Sequence, residues 1–238
     1  MMNKKIFLSI LFILSTLWGS NLPFENETLY YSVGFRSFSA GNATLSLRSD
    51  TLNNNNTYLL ISTLKTNSFL SKFYKVRDVI KSWLSPNDFS LIKINKKIHE
   101  GRYKKNHEAV IVNDSTAIVN NKKIELPGNV YDPMAFIYFL RKQNLKIGDQ
   151  YNFFSYGSKK IKEVLIKITS KEIIKVPYGT HNCYVVEPFT TDGKPLLKNN
   201  GAMKIWLSED SLHIPIKIRQ HTNIGNMILQ LQSIKYSK

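Results

Sequence analysis

From residue 29 onward, apolar and polar side chains alternate along most of the chain. Over Leu29–Phe35, Leu29, Tyr31, Val33 and Phe35 fall on one side, and Tyr30, Ser32 and Gly34 on the other. Ala43, Leu45 and Leu47 alternate with Thr44, Ser46 and Arg48 in the same way. The longest example is Val164–Val176. There Val164, Ile166, Ile168, Ile174 and Val176 share one parity, and Lys167, Thr169, Lys171 and Lys175 the other. Met203–Leu207, Ile214–Ile218 and Met227–Leu231 repeat the pattern. Successive side chains of a strand point to opposite faces, so one apolar and one polar parity marks an antiparallel sheet with one buried face. Turn-forming stretches interrupt the runs at Asn53–Asn56, Ser85–Asn87, Asn113–Ser115, Asn120–Asn121, Gly157–Ser158, Asp192–Gly193, Asn199–Gly201 and Asn223–Asn226. This spacing predicts about ten to twelve strands joined as a meander. So long a sheet exposes its edges unless it curls. The expected fold is therefore all-β and mostly antiparallel: a curved meander sheet, half-barrel or barrel.

Two segments break the alternation. In Pro133–Asn144 the apolar residues Ala135, Phe136, Phe139 and Leu140 recur at helical spacing. Asp132 before Pro133 suits an N-cap followed by proline at the first helical position. Arg141 and Lys142 then lie at the favourable end of the helix dipole. One packed helix is expected near 133–144. Asn67–Tyr74 carries Phe69, Leu70, Phe73 and Tyr74, and reads as a short helix or a flap.

The N-terminus narrows the biology most. Lys4 and Lys5 precede the apolar run Ile6–Trp18, and Gly19 and Ser20 follow it. The run is shorter than the roughly 20 residues of a membrane span. Residues 1–20 are expected to be a cleaved signal peptide, with an uncleaved anchor as the alternative. No cysteine follows the run, which speaks against a lipid-modified N-terminus. Roughly 218 residues remain after cleavage, expected to form a single β domain over 21–238. The one cysteine, Cys183, excludes an intrachain disulfide framework, so core burial has to stabilise the fold.

Net charge is +16, about +14 without Lys4 and Lys5. An acidic partner such as anionic lipid or an anionic envelope polymer would suit that charge. The cations are almost all lysine, in stretches such as Lys93–Ile98, and solvated lysine faces are the plainer expectation. Arginine, the residue suited to reading phosphates in bidentate fashion, is scarce, and no nucleic-acid partner is expected.

Chemistry is hard to find in the sequence. There is no Gly-x-Ser-x-Gly turn; Gly157–Ser158 lacks the second glycine. Cys183 and His181 would share a strand face, but buried structural cysteine is the expectation. Histidines 99, 107, 181, 213 and 221 show no metal-ligand spacing, so no metal and no cofactor is expected. His99–Glu100 and His107–Glu108 flank Gly101 and read as solvated strand ends. Glu100, Asp132, Glu187 and Asp210 are the acids that would have to converge for glycoside chemistry. Asp132 as a helix cap, Asp210 in a turn and Pro215 at a strand start each have a structural explanation.

Four blocks resemble the bacterial domain-of-unknown-function family 3108: Tyr31–Gly41, Phe73–Trp83, Tyr131–Arg141 with its extension to Asp149, and Gly201–Ile218 with Trp206, Asp210 and the Ile214-Pro215 pair. The resemblance implies an exported, largely antiparallel β protein, and no catalytic residues. The expected protein lies in the periplasm or on the periplasmic face of the outer membrane. It is non-enzymatic and binds a lipid or another apolar ligand in the curve of its sheet, and a lipoprotein is a further expected partner. Phe69, Phe73, Tyr74, Phe136, Tyr138 and Phe139 are the expected cavity-lining residues. The alternative is an envelope hydrolase acting on glycan or lipid. An integral membrane barrel is not expected, because lysines occupy one face of Val164–Val176. The oligomeric state is not fixed by the sequence.

Overall fold

The computed structural model describes residues 22–35, 38–157, 161–195, 202–222 and 225–237. The expected signal segment 1–20 lies outside the described residues. Fifteen strands form one sheet, in the order β8-β7-β6-β5-β4-β3-β2-β1-β15-β14-β13-β12-β11-β10-β9. The strands run β1 Glu27–Phe35, β2 Phe38–Leu52, β3 Asn55–Thr66, β4 Arg77–Leu84, β5 Leu91–Glu100, β6 Tyr103–Asn113, β7 Thr116–Val119 and β8 Lys122–Glu125. They continue as β9 Val130–Tyr131, β10 Gln150–Tyr156, β11 Ile161–Val176, β12 Gly179–Phe189, β13 Met203–Ser208, β14 Pro215–Thr222 and β15 Gly225–Tyr236. Every neighbouring pair is antiparallel except the short β9–β10 pair. The fold is thus the all-β meander expected. It has fifteen strands where the alternation suggests ten to twelve, because β7, β8 and β9 are too short to show a period.

The sheet has to curl. Its two edges, β8 and β9, are consecutive in the chain and joined by Leu126–Asn129, a link that reaches at most about 18 Å. Laid flat, fifteen strands would hold those edges about 65 Å apart. The seam between them is bridged by side chains: His107 Nε2 on β6 and Tyr156 OH on β10 lie 3.2 Å apart. Asn129 Nδ2 donates to Asp88 Oδ2 across 3.1 Å.

Helix α1, Pro133–Arg141, lies inside the curl, three residues shorter than the spacing predicts. Ala135, Phe136, Ile137, Tyr138, Leu140 and Arg141 are all buried. Asp132 caps it as expected, accepting from Met134 N at 3.1 Å. Each end is tied to the sheet by a buried ion pair. At the start, Asp132 faces Lys96 of β5 at 3.9 Å. At the finish, the Arg141 guanidinium grips both Glu27 oxygens at the head of β1, with Nη2 to Oε2 at 3.1 Å. Arg141 Nε also donates to Leu212 O, 2.9 Å away. The helix therefore plugs the end of the barrel where β1 begins.

Bulges change which face is buried. The β11–β12 register slips between Ile168 and Ser170, leaving Thr169 unpaired. An extra residue re-phases the alternation. Val164, Ile166 and Ile168 pack around the helix, whereas Ile174 and Val176 join Cys183 and Val185 in another cluster. The run that reads as one face is two.

Candidate functional site

Antiparallel pairing brings the β1–β2, β3–β4 and β5–β6 connections to one end of the barrel, opposite the plugged end. Above the helix N-terminus the interior is hollow. A space of about 200 Å³ lies among Tyr31, Leu45, Leu64, Met134, Met227 and Leu229. It adjoins, through the shared walls Leu64 and Met227, a larger hollow of about 540 Å³ at the open end. The larger one is walled by Val33, Phe35, Ala40, Leu64, Leu70, Tyr74, Val76 and Met227, with Gly41, Lys65 and Thr66 completing it. Gly41 is required there. A Cβ on it would lie 2.0 Å from Lys65 O, because the β2 and β3 backbones approach so closely.

The β3–β4 connection forms a flap over this mouth. Its neck is closed by Thr66 N donating to Val76 O at 3.2 Å. Asn67 ties it to the β1–β2 hairpin, with N to Ala40 O at 3.0 Å and Nδ2 to Ser39 O at 2.7 Å. A single 3-10 turn, Leu70–Lys72, forms inside it, less than a full helix. The Tyr74 ring packs over Gly101 at the β5–β6 tip, where φ is +59° and a Cβ would meet the ring at 2.7 Å. Leu70 and Tyr74 turn into the hollow, while Phe69 and Phe73 stand out in solvent, 66% and 76% exposed, their rings 5.6 Å apart.

Of the six expected cavity residues, Tyr74 alone lines the larger hollow. Phe136 and Tyr138 fill the core instead: Phe136 stacks on Phe153 at 3.8 Å, and Tyr138 OH donates to Glu27 Oε1 at 3.0 Å. Phe139 is partly buried against Phe136 and Tyr151. A nine-residue helix inside the barrel has nearly every side packed, so its aromatics leave little room for a ligand.

The candidate chemistry is dispersed. Glu100 lies at the open end, at the close of β5. Asp132 caps the helix. Glu187 accepts from Thr169 Oγ1 and faces Lys204 Nζ at 3.4 Å. Asp210 holds the β13–β14 turn by accepting from Ser208 Oγ and Leu212 N. Pro215 opens β14, and its carbonyl accepts from Tyr31 OH at 2.7 Å. The Cys183 thiol donates to the His181 carbonyl rather than to its ring, and burial pushes the thiol pKa up to about 12. His107 is not a solvated strand end. It is 4% exposed, and burial, then Lys105 and Lys96, hold its pKa below the usual range. Burial likewise lowers Lys96 and raises Asp132. Among the described residues no three His, Cys, Asp or Glu side chains gather as a metal site, and no helix is long and apolar enough to cross a membrane.

The model for proteins of unknown function DUF3108 matches residues 29–232. The chain belongs to that family. No curated protein matches it. The fold resembles a beta-barrel-like protein of domain of unknown function DUF1849 from Brucella abortus, with a TM-score of 0.62 and 8% identity, covering 89% of this chain and 98% of that one. A presumed exported protein with a YmcC-like fold from Bacteroides fragilis aligns with a TM-score of 0.33 and 9% identity over 89% of this chain and 96% of that one. A presumed lipoprotein from Parabacteroides distasonis aligns at 0.32 and 13% over 89% and 95%. The likeness to the Brucella protein is one of fold alone; the other two are too loose to build on.

Proposed function

We propose that this DUF3108 protein is exported to the cell envelope and holds an apolar ligand of the acyl-chain class in its cup. Export rests on Lys4, Lys5 and the Ile6–Trp18 run. The observation that carries the ligand reading is the hollow of about 540 Å³ whose walls are aliphatic and aromatic almost throughout. That volume falls in the range of small-molecule sites, about 300–1,000 Å³, and such a lining takes up hydrocarbon with little desolvation of polar groups. The inner hollow extends the space toward Met134, giving a narrow chain somewhere to thread. The hydrolase alternative has no comparable observation behind it.

The test is uptake of a fluorescent fatty acid by purified protein in solution. Leu64 walls both hollows and is only partly buried, so Leu64→Trp narrows the passage without emptying the core. Uptake should weaken at least about ten-fold, or 1.4 kcal/mol, with melting unchanged. Wild-type protein that is folded yet takes up no probe at several chain lengths would defeat the proposal.

A further inference from the structure

The open end carries features that an enclosed ligand site does not need. Phe69 and Phe73 on the flap are mostly in solvent, and so is Phe38 beside it on the β1–β2 hairpin, 72% exposed. Asn67 links the flap to that hairpin through Ser39 and Ala40, so these rings crown one rim. Exposed phenylalanines gathered at the mouth of an apolar hollow mark an interaction surface, whereas scattered ones need no explanation.

Charge points to the partner. From Lys65 to Arg77 the chain carries Lys65, Lys72, Lys75 and Arg77 and no carboxylate. The adjoining β5–β6 tip adds Arg102 and Lys104, with Glu100 as its acid. Aromatic side chains flanked by lysines suit the boundary between headgroups and acyl chains: the rings enter the apolar layer and the ammonium groups stay with the phosphates. A second copy of this chain would set these cations against one another.

We infer that the open rim, led by Phe69 and Phe73 with Lys72 and Lys75, docks on an anionic lipid bilayer surface and brings the mouth of the cup onto it. This rests on the acyl-chain reading for its purpose, though the docking itself is measured separately. Phe69 and Phe73 insert, the lysines pair with anionic headgroups, and Leu70 and Tyr74 behind them face the path into the hollow.

Sedimentation with vesicles of phosphatidylcholine, with and without 30% phosphatidylglycerol, tests the inference on protein purified from the envelope. Wild type should bind the anionic vesicles and release them at high salt. Each basic residue near the surface is worth about five-fold in partitioning. Lys72→Gln with Lys75→Gln should therefore weaken binding about twenty-five-fold. Phe69→Ser with Phe73→Ser should weaken it at least as much, and because these side chains are exposed the fold should be unaffected. Ile173→Ser with Lys175→Gln, an exposed pair at the plugged end, should change nothing. The inference is overturned if wild type ignores anionic vesicles, or if the flap variants bind like wild type. Fatty-acid uptake in vesicle-free solution should survive in the flap variants; its absence in wild type would defeat the carrier reading instead.

Discussion

Arg141→Ala asks whether the helix is held as a plug. In the folded protein Arg141 and Glu27 are wholly buried side chains. The substitution removes the two-pronged grip on Glu27, the 2.9 Å bond to Leu212 O and the guanidinium packed 4.2 Å from the Phe24 ring. Glu27 would be left in the core with the Tyr138 hydroxyl as its remaining side-chain donor. Breaking a buried pair by deleting one partner costs about 3–5 kcal/mol. For a chain of this length that lowers Tm by roughly 6–20 °C. Replacing both partners, Glu27→Leu with Arg141→Met, leaves no orphaned charge and should recover most of the loss. The residue of it, about 1 kcal/mol, reflects the hydroxyl of Tyr138 losing its acceptor. Urea and thermal melts of the two single variants and the double complete the cycle. An Arg141→Ala cost under about 1 kcal/mol, the size of a surface pair, would refute the reasoning. A double variant less stable than either single would do the same.

Further outcomes follow from other parts of the molecule. Because the folded His107 pKa is depressed, its contribution to stability is full above about pH 6.5 and is lost as pH falls through the folded value. Tm should drop between pH 7 and 5, and His107→Gln should flatten that slope; an unchanged slope would place the effect elsewhere. Gly41→Ala should destabilise by about 1–3 kcal/mol in chemical melts, since β2 and β3 must part to admit the methyl; a neutral result would show that the strands separate freely there. Cys183→Ala should alter stability by only about 1 kcal/mol and leave ligand uptake intact. Lost uptake with unchanged melting would revive a role with His181. If residues 1–20 are a signal, intact mass should place the mature N-terminus between about residues 19 and 23, and retained Met1 would favour an anchor.

Local pattern carried much of the architecture. Leu29, Tyr31 and Val33 are buried as their alternation requires, and Asp132-Pro133 starts the helix as their chemistry dictates. What stayed hidden depends on partners far apart in the chain. Nothing near Arg141 names Glu27, 114 positions away, and a cation near a helix end reads as a dipole partner in solvent. His107 looks like a polar strand residue until Tyr156 meets it across the seam. Thr169 conceals its bulge because even-numbered apolar residues continue on both sides of it. The aromatic residues were visible, but whether a ring fills a core or lines a hollow depends on the curl that places it. The exposed Phe69 and Phe73 had a signal available: four hydrophobic residues, Phe69, Leu70, Phe73 and Tyr74, in a short segment with lysine and serine between and beside them and no period of two.

The pairing of β1 with β15 has a kinetic consequence. Glu27 lies opposite Tyr236, so the contact that joins the two halves of the sheet closes a loop spanning nearly the whole described chain. Pairings so distant in sequence form slowly, because the entropy of closure is lost before the contact compensates for it. Until β15 emerges from the ribosome, β1 keeps one bare edge. A nascent chain of this topology therefore stays open for most of its synthesis. On the export proposed above, that delay keeps the chain competent to pass unfolded through a translocation channel.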